Sequence, residues 1–71
     1  MYIDQDKLYL ACAAKCVNEE DAIHGARLQG DVYKRIKDGQ EITARECGLL
    51  AKYLGTTPEK ITTPLQNLFK F

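Results

Sequence analysis

The chain has 71 residues, 45% of them apolar and 28% charged, and its ten basic and ten acidic side chains sum to zero. That length sets one domain with a small core, the composition excludes intrinsic disorder, and zero net charge argues against indiscriminate binding to polyanions. No apolar run approaches the roughly 18 residues of a membrane span, and the start "MYIDQDKLYL" lacks the basic-then-apolar order of an export signal, so a cytosolic protein with no membrane partner is expected.

Asp4 predicts the N-cap of a first helix, in which Leu8, Ala11, Cys12 and Lys15 fall at i, i+3, i+4 and i+7, with Lys15 reaching past the apolar stripe. Asn18 predicts a second N-cap. The acids Glu19, Glu20 and Asp21 that follow suit the positive end of a helix dipole, and this short helix should end near Gly25 or Arg27. A third helix is expected from Gln29 to Lys37, with Val32, Tyr33 and Ile36 along one side and Gln29, Gly30, Asp31, Lys34 and Arg35 free on the others. "KDGQ" then reads as a stop and turn, with Gly39 able to take positive φ. "TARE" is a capping box that opens a fourth helix, whose core stripe is Cys47, Leu50, Ala51 and Leu54 and whose stop is Gly55. "TPEKI" places Thr57 as N-cap and Pro58 at the first position of a short fifth helix.

No segment alternates with period two, so the expected fold is all-α: a bundle of about five short helices in a domain spanning residues 1–62. Residues 63–71 form an apolar tail, in which Leu65, Leu68 and Phe69 recur at i, i+3 and i+4 and Phe71 follows. This tail either folds back on the core or makes a dimer or partner surface.

The charges are unevenly placed. Residues 1–26 set Lys7 and Lys15 against Asp4, Asp6, Glu19, Glu20 and Asp21, a balance of minus three, whereas residues 27–37 set Arg27, Lys34, Arg35 and Lys37 against Asp31, a balance of plus three. A neutral protein can therefore present a basic face, since local fields act over a Debye length of about 8 Å. Cys12 and Cys16 are four apart and would share a helix face, which suggests a metal site completed by Cys47 and His24. No zinc-knuckle spacing accompanies them, so small, buried, reduced thiols are expected, with no metal and no other cofactor. The chain contains no serine nucleophile and no glycine-rich phosphate loop, and His24 has no catalytic partner; neither an enzyme nor a small-molecule substrate is expected.

Two short helices near 19–26 and 29–37, separated by about "RL" and with exposed polar residues on the second, have the layout of a helix-turn-helix. From Leu8 to Ile61 the chain resembles the lambda-repressor-like (Cro/CI, XRE-type) helix-turn-helix family, through "KCVNEEDAIHGARL", "VYKRIKDG" and above all "ITARECGLLAKYLGTTPEKI". The resemblance implies that Gln29 begins a recognition helix and pairs with a base edge, that Gly30, Asp31 and Lys34 also face the groove, and that Arg35, Lys37 and Gln40, with Lys15, lie beside phosphates. Departures from the family pattern are equally specific. Glu19 stands where glutamine is usual, Cys12 replaces an arginine, Arg27 fills the turn position usually held by glycine, and the usual "LA" pair is transposed to Ala22-Ile23. A bulky Ile23 at the helix crossing would push the two helices apart unless Ala22 returns the volume.

What the resemblance implies is a small Cro-like transcriptional regulator of a temperate phage or mobile element, acting in the bacterial host cytosol on double-stranded operator DNA, with a homodimer on paired half-sites. A second expectation is an antirepressor or modulator, in which Glu19, Glu20, Asp21 and Asp31 dock on the basic face of a phage repressor protein instead of on DNA.

Overall fold

A computed structural model describes residues 1–63 and gives them four α-helices: α1 (Gln5–Ala14), α2 (Glu19–Gly25), α3 (Gly30–Lys37) and α4 (Ala44–Tyr53). The starts follow the sequence. Asp4 accepts from the N–H groups of Asp6 and Lys7 at 3.1 and 3.2 Å, Asn18 accepts from Asp21 at 2.7 Å, and Thr43 and Glu46 close a reciprocal capping box on α4. The expected fifth helix is instead one 3-10 turn, Pro58–Lys60, with Thr57 making no side-chain cap bond. It stops there because the next residues pair elsewhere. The Asp4 N–H donates to the Ile61 carbonyl at 3.0 Å and the Thr63 N–H to that of Tyr2 at 2.9 Å, forming an antiparallel bridge between Ile3 and Thr62.

All four helices end in the same way. The residue after each C-cap takes positive φ, and the two backbone bonds of a Schellman motif follow: Cys16 to Ala13 and Val17 to Cys12; Arg27 to His24 and Leu28 to Ile23; Gly39 to Ile36 and Gln40 to Arg35; Gly55 to Lys52 and Thr56 to Ala51. Glycine fills that position after α3 and α4, but Cys16 and Arg27 hold it after α1 and α2, both at φ 61°. The Cys12–Cys16 pairing expected on one helix face is thereby corrected. Because α1 stops at Ala14 and the chain reverses at Cys16, Cys12 is buried while Cys16 is exposed.

The core joins Leu8 and Cys12 of α1, Ala22 and Ile23 of α2, Val32 and Ile36 of α3, and Cys47, Leu50 and Ala51 of α4 to Ala26, Ile42, Leu54 and Ile61. Ala22 and Ile23 are both fully enclosed, and α2 packs on α1, α3 and α4, so the transposed pair is accommodated at the crossing. One close approach helps. Gly25 lies so near the Tyr53 ring that an added Cβ would come within 2.3 Å of it. The extended segment before α1 is held on both sides: the Met1 ammonium donates to the Glu41 carboxylate and the Ile42 carbonyl at 3.0 and 2.8 Å, and the Ile42 N–H donates back to Met1. Gln5 adds a tie to the end of α3 through the Ile36 carbonyl at 3.0 Å. Leu65, Leu68, Phe69 and Phe71, the candidate dimer or partner tail, lie outside the described residues.

Candidate nucleic-acid interface

The connection from α2 to α3 is four residues long, "ARLQ", and begins with the buried Ala26. Val32 and Ile36 anchor α3 in the core. At 3.6 residues per turn, Gly30, Asp31 and Lys34 lie half a turn away from that pair, and all three are exposed. Gln29 is the N-cap of α3, one residue before the helix proper; its side chain makes no cap hydrogen bond and is exposed. Gly30 has open space around the position of a Cβ, so nothing inside the described residues requires a glycine there.

The basic cluster legible in the sequence divides in two. Arg35 is tied down inside the protein: its Nη2 donates to Glu46 at 2.6 Å, and its Nε lies 3.5 Å from the Asp31 carboxylate. The Thr43 N–H, and after it the Arg35 guanidinium, hold the Glu46 carboxyl below its usual range against the opposing effect of burial, while the bond to Glu46 raises the Arg35 pKa. Lys37 Nζ lies 3.6 Å from Glu19 and 5.5 Å from the centre of the Tyr33 ring. Among the described residues, Lys34 and Arg27 make no ion pair and stand exposed. Lys15 is exposed with its ammonium 5.1 Å from the centre of the Tyr53 ring, and Gln40 is exposed at the turn after α3.

A residue that the sequence reading missed joins them. Arg45, exposed at the second position of α4, comes beside Arg27 and Gln29 across a cleft of about 240 Å³ that Leu28, Glu46 and Leu49 complete. The available signal was the capping box itself, which fixes residue 45 in the exposed first turn; what the sequence does not give is how close that turn comes to the α2–α3 connection.

The acidic run is divided as well. Glu20 and Asp21 are exposed, but only 16% of the Glu19 side chain is accessible, and it faces Lys37. Asp31 stays 60% exposed, with its charge partly matched by Arg35 four residues on. Burial raises the thiol pKa of Cys12, as does the Glu19 charge; burial likewise raises that of Cys47, against an opposing effect of the amino-terminal charge. His24 is exposed near the end of α2. Among the described residues no three His, Cys, Asp or Glu side chains converge as a metal site, and no helix is long and apolar enough to cross a membrane. Comparison with protein-family models, curated proteins and solved structures finds no match to this chain.

Proposed function

We propose that the protein is a sequence-specific DNA-binding regulator of the lambda-repressor-like helix-turn-helix kind, with α2 across the DNA backbone and α3 in the major groove. The observation that carries this reading is the outward flank of α3. Gln29, Gly30, Asp31 and Lys34 are exposed together on a helix whose other side is pinned by Val32 and Ile36. In a major groove the free Gln29 amide would pair with adenine, and Asp31 would accept from the amino group of cytosine. The Arg35 contact offsets part of the repulsion between Asp31 and phosphate. Gly30 then has a use that the protein interior does not supply, which is close approach of backbone to DNA.

A mobility-shift series over candidate operator DNA tests the reading. The wild-type protein forms a complex that weakens steeply with salt, Lys34→Ala weakens binding to all sequences, and Gln29→Ala mainly alters sequence preference. Gly30→Ala leaves the fold intact and weakens the complex. Absence of any complex at micromolar protein and low salt rejects the proposal.

The exposed Glu20, Asp21 and Asp31 support a second reading, an antirepressor that docks on the basic face of a phage repressor. Substituting Glu20 and Asp21 by their amides separates the two: DNA binding improves under the first reading, and capture of the repressor is lost under the second.

A further inference from the structure

We propose that the cleft between the α2–α3 connection and the first turn of α4 is a phosphate subsite, in which Arg27 and Arg45 clamp one backbone phosphate of DNA beside α3. This rests on the major-groove reading of α3 and adds a contact outside the groove.

The argument starts from two cations in places that disfavour them. Arg27 occupies the left-handed position that ends α2, at φ 61°, where glycine serves the same role after α3 and α4. Arg45 sits at the second position of α4, the positive end of that helix dipole, which repels a cation. Neither makes an ion pair among the described residues, yet both line one cleft. The one acid in the lining, Glu46, is already engaged by Arg35 at 2.6 Å and by the Thr43 N–H at 2.9 Å, so its charge is spent within the fold. The cleft therefore carries unmatched positive charge, with guanidinium forks from two elements. A tetrahedral dianion or a phosphodiester is the chemistry that satisfies both forks together. At about 240 Å³ the space holds a phosphate group with attendant water. Its place beside Gln29 puts that phosphate next to the start of the helix proposed to enter the groove.

Two measurements on the full chain test this. Titrating inorganic phosphate while following the arginine side-chain N–H resonances by NMR is expected to shift Arg27 and Arg45 saturably, and Arg35, already engaged by Glu46 and Asp31, little. In a salt series on duplex DNA, Arg27→Gly with Arg45→Ala should lower affinity by about ten- to a hundred-fold on specific and random sequences alike, and flatten the slope of log K against log salt by about 0.9 for the lost phosphate. Circular dichroism checks that the double variant is folded. No phosphate-induced shift at the two arginines overturns the subsite. So does unchanged DNA affinity and slope in the double variant; if Lys34→Ala still weakens binding, α3 remains the DNA-reading element. A wild-type chain that binds no duplex refutes the α3 reading, and the DNA clamp with it.

Discussion

Arg27 is a residue poorly suited to its backbone, at φ 61°, whose charge has a use only in the proposed phosphate subsite. An L-residue in the left-handed region is disfavoured by about 1–2 kcal/mol, partly offset by the greater freedom that glycine has in the unfolded chain. Arg27→Gly should therefore raise stability by about 0.5–1 kcal/mol in urea denaturation even as it weakens binding to DNA. A loss of stability would mean that the side chain has a structural role in the cleft. The thiols differ in the same residue-by-residue way. Exposed Cys16 should react with a maleimide before unfolding, whereas Cys12 and Cys47, buried and with raised pKa, should react only as the chain opens; mass spectrometry of the labelled protein reads the order. At this scale the sequence was only partly informative about the site. It exposed Gln29, Gly30, Asp31 and Lys34 through the spacing of Val32 and Ile36, but Glu46 and Glu19, which engage Arg35 and Lys37, lie 11 and 18 positions away and no local pattern encodes those two contacts.

The helices were legible because their ends are written in local chemistry. Asp4, Asn18 and the Thr43–Glu46 box each satisfy N–H groups within three residues, so no tertiary information is needed to find them. The final turn was harder, since Pro58 starts a helix by its fixed φ while the Ile3–Thr62 bridge, set almost sixty residues apart, decides where it stops. Thr43→Ala should lower stability by about 0.5–2 kcal/mol, measured as a shift in urea midpoint. The same box sets a pH dependence. Because the folded pKa of Glu46 is depressed, its contribution is complete above the unfolded carboxylate value of about 4.3 and is lost as pH falls through the lower folded value. Glu46→Gln should accordingly lose less stability than wild type between about pH 6 and pH 3, as urea midpoints at the two values will show.

As a whole molecule the protein has little core to spare. Ile61 is fully enclosed, and it lies where the end of the described chain meets the start of α1. Ile61→Ala should remove about 2–5 kcal/mol from a total of about 4–10 kcal/mol for a domain of this size. A thermal melt should show a midpoint lower by at least about 10 °C, and a smaller drop would mean that the seam beside Ile61 collapses to refill the space. That seam also sets the timing of folding. Tyr2 and Asp4 are fastened by the N–H at 63 and the carbonyl at 61, about sixty positions along the chain, whereas the caps of α1, α2 and α4 close within three residues, so the caps can form early and this long-range clasp shuts late.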